Sequence, residues 1–305
     1  WSQQAKFTAS DGAASESGSA PAGAIESVGL MVQDMSNPFF SAMEKGAQEA
    51  TAAIGATLNT QDAQLDLAAQ NTQIDAFIQQ GVDLIVISAV DQAGIGPAIQ
   101  RAKDAGIIVM AVDTPAEGAD AVIMTDAVQA GEKSCQYLFE QMGGKGNVLL
   151  VDGTVIQTII DRITGCKTVA ESFPDIKIVG QQASKNDRAS GLAVTTDMLT
   201  ATPDVQGIFG MNDPSALGAV LAVEQAGKTA DIKVTGVDGS PVAVDELNRE
   251  GSPFIGTATQ NPAEMVRKAV EIAQEMAAGN PPAETTILIP SELVTRDNVS
   301  EYSGW

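Results

Sequence analysis

From residue 25 onward, short apolar runs alternate with longer amphipathic stretches. The runs lie at 28–32, 84–87, 107–112, 148–151, 207–209, 232–237 and 254–259. Each has strand length, and the runs are rich in Val and Ile, as parallel strands covered on both faces should be. Between them, stretches such as "QIDAFIQQG" and "AIQRAKDAG" carry apolar residues at helical spacing and end in glycine. The succession predicts βαβ units and an α/β fold class with doubly wound parallel sheets. It also repeats. "LIVISAVDQAGIGPAIQRAKDAGIIVMAVDTP" reads strand, Asp, helix, Ala-Gly, strand, Asp, and "GIFGMNDPSALGAVLAVEQAGKTADIKVTGVDGSP" has the same order. Two similar lobes are expected rather than one large sheet.

The first unit shows the local grammar. After the run at 28–32, Asn37 is placed to cap a helix, with Pro38 at its first position, where a missing N–H costs nothing. The helix is expected to reach about residue 53. Its buried stripe would be Phe40, Met43, Ala47, Ala50 and Ile54. Phe39 falls outside that stripe and points toward the C-terminal edge of the strand, so it is either a second core ring or the wall of a cleft.

Polar residues gather where strands end: Asp113, Asn212, Asp238 and Gln260. Open α/β sheets bind ligands at the carboxyl ends of their strands. Helix capping is the competing role, and it is assigned to Asp91 and Asp213, each of which opens a helical stretch.

Composition narrows the chemistry. The 305-residue chain has 17 Lys and Arg against 39 Asp and Glu, a formal charge of −22. That balance argues against nucleic acid and against anionic membrane surfaces as partners. No run of 18 apolar residues is present to span a membrane. The chain lacks histidine, so a Ser-His-Asp triad and any His-based zinc site are excluded. No G-x-G-x-x-G follows a strand, and no G-x-x-x-x-G-K-[ST] occurs, so nucleotide phosphates lack their usual cradle. "GGKGNV" at Gly143 precedes a strand and reads as a turn. No cofactor or metal is implied. Residues 1–25, small and polar, read as a flexible leader outside the fold, and no signal peptide is found within the chain, as expected of a mature or trimmed form.

Six motifs occur in order: "SNPFF", "AVDTP", "IIDRITG", "NDPSALGA", "TGVDGSP" and "ATQNP". Together they resemble the periplasmic sugar-binding proteins of ABC transporters, of the ribose-binding type, over about residues 26–295. The resemblance implies two lobes joined by a three-crossing hinge, with the ligand cleft between them and closure around the ligand. The crossings would lie near 125–127, 258–261 and 288–290. Lobe one would be 26–125 plus 261–288, and lobe two 126–260 plus 289–305.

The resemblance also implies roles. Asn37 would hydrogen-bond a sugar hydroxyl, and Phe39 and Phe40 would cover the C–H patches of the ring. Arg162, Asn212, Asp238 and Gln260 match binding positions, and Asp113 fits as an acceptor of two hydroxyl bonds. Two positions depart from the ribose pattern. Thr114 stands where an arginine is frequent, and Asn186 stands where a third aromatic is frequent, leaving an aromatic sandwich open on one side. These changes favour another pentose, a hexose or an acyclic sugar alcohol over ribose itself.

The implied function is capture of a small sugar or polyol, without catalysis, and delivery to an ABC permease. The protein would act as a monomer in the periplasm or another extracytoplasmic space. A sugar-sensing receptor that presents the closed form to a signalling partner is the alternative. A regulator of the lactose-repressor type would need a helix-turn-helix where this chain has a Gly/Ser/Ala-rich leader. Finally, Cys135 and Cys166 fall in consecutive helices flanking one strand, where they can form a disulfide in an oxidising compartment.

Overall fold

The computed structural model describes residues 23–302 and 304–305. Residues 1–22 of the expected leader lie outside the described residues. Ile25 is already packed in the core, so the fold begins within the 1–25 segment rather than after it.

The first lobe starts with β1 (Ser27–Val32), α1 (Pro38–Ile54), β2 (Thr57–Asp62), α2 (Leu67–Gln80), β3 (Leu84–Ile87), α3 (Gly96–Asp104), β4 (Ile108–Val112) and β5 (Ala121–Thr125). The chain then builds α4 (Ala127–Gln141), β6 (Lys145–Asp152), α5 (Gln157–Ala170), β7 (Asp175–Ala183), α6 (Arg188–Ala201) and β8 (Gly207–Gly210). Next come α7 (Asp213–Gln225), β9 (Lys233–Asp238), α8 (Pro241–Asn248) and β10 (Phe254–Thr259). It ends with α9 (Pro262–Ala277), β11 (Thr286–Ile289) and β12 (Leu293–Thr295), and then a short 3-10 turn. No helix among the described residues is long and apolar enough to cross a membrane.

Two six-stranded sheets result, ordered β11-β5-β4-β3-β1-β2 and β12-β10-β9-β8-β6-β7. The repeat read in the sequence thus becomes two sheets of matching order. They differ at one edge: β11 pairs with β5 in parallel, whereas β12 runs antiparallel to β10. Central strands such as β3 and β4 are buried throughout, because helices cover both faces. In the first lobe, α1 and α9 pack on one face of the sheet, while α2 and α3 cover the other.

The chain passes between sheets three times, at β5 to α4, β10 to α9 and β11 to β12. These passes are tied together. Thr125 Oγ1 donates to Gln260 Oε1 at 3.2 Å, and the Asp126 N–H donates to the Ile289 carbonyl at 2.9 Å. Ile289 still pairs within the first sheet.

Helix starts agree with local capping chemistry, with two corrections. Asn37 caps α1, its side chain accepting the Phe39 N–H at 3.0 Å. Asp91 does not open a helix. Its carboxylate accepts the N–H groups of Ala93 and Gly94 and holds a turn ahead of α3. Asp213 is not the cap of α7 either; Asn212 is, accepting the Ser215 N–H at 3.0 Å. Asp213 is drawn inward instead. Its Oδ2 accepts both the N–H and the hydroxyl of Ser240 at 2.8 Å, and its Oδ1 accepts the Thr257 hydroxyl at 2.6 Å.

Helices α4 and α5 pack unusually closely. A Cβ placed on Gly131 of α4 would lie 2.0 Å from the Arg162 carbonyl oxygen, and one on Gly165 of α5 would lie 2.1 Å from that of Val128. Hydrogen at both positions lets the two helices touch backbone to backbone. Cys135 and Cys166 join the same helices through a disulfide, with Cα atoms 5.1 Å apart.

Candidate functional site

The carboxyl ends of the strands in both sheets face one another across a cavity of about 420 Å³. The local sequence puts chemistry there because each strand ends in a turn before the next helix. After β1 come Gln33 and the α1 start, with Asn37, Phe39 and Phe40; after β4 come Asp113 and Thr114. From the second lobe come Arg162 of α5, Asn186 ahead of α6, Asn212 after β8, Asp238 at the end of β9 and Gln260 after β10. All ten residues singled out in the sequence therefore line one cavity.

The aromatic wall is built at the mouth of α1. Phe39 and Phe40 are both buried, and their rings meet edge to face with centroids 5.3 Å apart. The two roles weighed for Phe39 coincide: it belongs to the first-lobe core cluster and also lines the cavity.

Opposite stands a charged pair. Arg162 Nη1 donates to the Met211 carbonyl at 3.0 Å and to Asp238 Oδ1 at 3.3 Å. Gln260 Nε2 donates to the same Oδ1 at 2.8 Å. Asp238 Oδ2 accepts the Asp213 N–H at 3.3 Å. Arg162 and Asp238 are both buried, and the Nε–H of Arg162 has no hydrogen-bond partner among the described residues.

Asp113 and Asp238 end corresponding strands of the two sheets, and both adopt positive φ, 64° and 143°. Such backbone is costly for non-glycine residues, and the cost recurs where a side chain must be aimed. Burial pushes the Asp113 carboxyl up to about 6, partly offset by the Arg162 charge and the Thr114 hydroxyl. Burial also raises Asp238, again against the opposing pull of Arg162. Burial and then the charge of Asp238 push Asp213 up to about 7.

The polar walls are held from behind. Gln33 Nε2 donates to Ser88 Oγ at 3.1 Å, the Ala89 carbonyl at 2.9 Å and Thr114 Oγ1 at 2.8 Å. Asn186 Oδ1 accepts the Thr154 N–H at 2.9 Å, and its carbonyl accepts Asn212 Nδ2 at 3.1 Å. Asn212 is thus a cap and a strut as well as a lining residue.

Residues 28–281 match the family described as periplasmic binding protein domain. The chain belongs to the periplasmic binding proteins. Among relatives of this periplasmic binding protein is the ribose import binding protein RbsB of Bacillus subtilis (strain 168), 30% identical over 272 residues, covering 88% of this chain and 87% of the relative. A xylitol-binding protein of Mycolicibacterium smegmatis is 29% identical over 277 residues, covering 89% of this chain and 78% of the relative. In structure, this binding protein resembles an ABC transporter periplasmic solute binding protein from Actinobacillus succinogenes 130z with bound D-allose. The TM-score is 0.85 at 28% identity, covering 91% of this chain and 100% of that one.

The lining of this periplasmic binding protein also includes residues that the sequence pattern did not single out, among them Gln33, Ile159, Met211 and Trp305. Gln33 follows the first strand directly and has the same positional signal as Asp113. Ile159 and Met211 read as ordinary core residues. Trp305 adds a third ring to the lining, but beside Phe39 and not at the Asn186 position. Its ring lies edge-on to Phe39, with centroids 5.5 Å apart at 89°.

Proposed function

We propose that this protein captures a small monosaccharide or sugar alcohol between its lobes, without catalysis, and delivers it to an ABC permease. It does so as a monomer in the periplasm or an equivalent extracytoplasmic space. One observation carries the reading. A buried guanidinium whose Nε–H is unpaired among the described residues stands with the carboxylates Asp113 and Asp238 in one cavity walled by Phe39 and Phe40. A polyhydroxyl ligand answers both demands, because each hydroxyl donates to a carboxylate and accepts from a guanidinium. Its C–H surface meets the rings. The volume suits a ligand of this size.

The family and the relatives support the same class, since those relatives are named for ribose and xylitol and the structural neighbour holds D-allose. Thr114 in place of a second guanidinium favours a ligand other than ribose. Hydrogen bonds to charged groups contribute roughly 1.5–3 kcal/mol each, so a few of them reach the −8 kcal/mol or so of micromolar affinity.

A thermal-shift screen against D-ribose, D-allose, xylitol and myo-inositol, extended to other monosaccharides and polyols, tests the reading. A ligand at a hundredfold excess over its Kd stabilises the folded state by about 2.7 kcal/mol, which raises Tm measurably. Absence of any shift across the panel at millimolar concentration would overturn it.

A further inference from the structure

Trp305 is fastened to one lobe and packed against the other. It lies beyond β12, in a segment held on the second lobe: the Tyr302 hydroxyl donates to the Gly239 carbonyl at 2.8 Å, and Trp305 Nε1 donates to the Asp238 carbonyl at 2.7 Å. Its indole lies edge-on to Phe39 of α1 and packs against the first-lobe core. A single side chain therefore bridges the cleft.

Its position also divides space. Trp305 lines the 420 Å³ cavity, and it lines a second cavity of about 570 Å³ bounded by Lys45 of α1, Arg267 of α9 and Pro290 of the hinge. Gln260 is the other residue common to both linings. The indole thus forms the partition between a ligand-sized cavity and a wider groove behind it.

The indole hydrogen bond also bears on the charged pair. Asp238 holds an unusual φ of 143°, and its carbonyl accepts from two donors, Trp305 Nε1 and the Gln260 N–H at 2.8 Å. Fixing that carbonyl fixes the residue whose carboxylate meets Arg162.

We infer that Trp305 is a specificity-determining wall of the site and a latch between the lobes. It extends the aromatic wall beside Phe39, and with Gln260 it separates the cavity from the groove behind it. It also adds a contact across the cleft that must break for the lobes to separate. The inference rests on the reading of the interlobe cavity as a sugar or polyol site.

The test uses the intact chain, whose two tryptophans are Trp1 and Trp305. Wild type, Trp305→Phe and Trp305→Ala are checked for folding by circular dichroism. Each is then titrated with the panel sugars and polyols while Tm, tryptophan emission and dissociation rate are monitored. In wild type, a sugar that raises Tm also changes the emission. Both variants lose that change. Trp305→Phe, which keeps a ring but no N–H, weakens binding about 2- to 12-fold, the range expected for one hydrogen bond. Trp305→Ala weakens it about tenfold or more, chiefly through faster dissociation. A sugar that raises the wild-type Tm, leaves the emission unmoved and binds Trp305→Ala with unchanged Kd would overturn the inference and leave the site reading intact. A wild-type protein that responds to no sugar or polyol would overturn the site reading, and the inference with it.

Discussion

Replacing Arg162 with alanine should cost stability and binding together, and the stability cost should depend on pH in a defined direction. Arg162 is the cation beside Asp238, with side-chain exposures of 6% and 13%. Removing it leaves Asp238 with the Gln260 amide at 2.8 Å and the Asp213 N–H at 3.3 Å as neutral donors. Asp213, a second buried carboxylate, adjoins it. Breaking a buried ion pair from one side costs on the order of 3–5 kcal/mol. A domain stability of roughly 5–15 kcal/mol survives that loss, so the variant should fold. Burial already raises the Asp238 pKa above its ordinary 3.8, and Arg162 opposes that rise. Without the guanidinium the native pKa climbs further. A carboxylate with a raised native pKa takes up a proton on folding, so its penalty is full above that pKa and fades as the pH falls through it. Urea denaturation at pH 8, 7, 6 and 5 should therefore show the Arg162→Ala deficit shrinking toward acid. Arg162→Ala/Asp238→Asn should recover most of the stability but none of the binding. A variant as stable as wild type at pH 8, or a deficit that grows on acidification, would refute the electrostatic reasoning.

The same geometry sets three further outcomes. Sugar hydroxyls donate to an ionised carboxylate, so affinity should hold above about pH 6 and fall as the pH drops through it, where the Asp113 carboxyl titrates facing Arg162, Asp238, Thr114 and Ser88. Calorimetry should show Asp113→Asn to be weak and flat with pH across that range; an unchanged wild-type profile in the variant would contradict this. Gly131→Ala should destabilise by about 1–3 kcal/mol despite the helix preference of alanine, because its Cβ meets the Arg162 carbonyl at 2.0 Å, and binding should weaken as α5 shifts; a stabilised variant with intact binding would show that the helix contact is slack. The Cys135–Cys166 bond closes a separation of 31 residues and should contribute about 3–4 kcal/mol, with no free thiol titrating in the denatured, unreduced chain; two thiols per chain would disprove the bond.

Periodicity exposed the buried elements because burial on both faces leaves little room for polar residues. β3 and β4 read directly as "LIVI" and "IVMAV". The edge strands β2, "TLNTQD", and β7, mostly exposed, carry no such signature, because an edge needs few apolar residues. Capping residues were legible as types but not always by position. Asn212 and Asp213 are adjacent and both able to cap, and the choice was made by Ser240 and Thr257, far along the chain, which claim the Asp213 carboxylate. The strand-end polar residues of the site were readable because topology places such ends at a cleft. Trp305 was not readable. Its place depends on a long-range hydrogen bond to Asp238 and on Phe39, and no local pattern encodes either contact.

The central claim, that the cavity between the lobes holds the ligand, is tested most directly by a crystal structure of the protein with the sugar or polyol that gives the largest thermal shift. The expected result is one ligand in the cavity of about 420 Å³, its hydroxyls bonded to Arg162, Asp113 and Asp238 and one face against Phe39 or Phe40. A ligand seated instead in the groove lined by Lys45 and Arg267, or on an outer surface of either lobe, would contradict it.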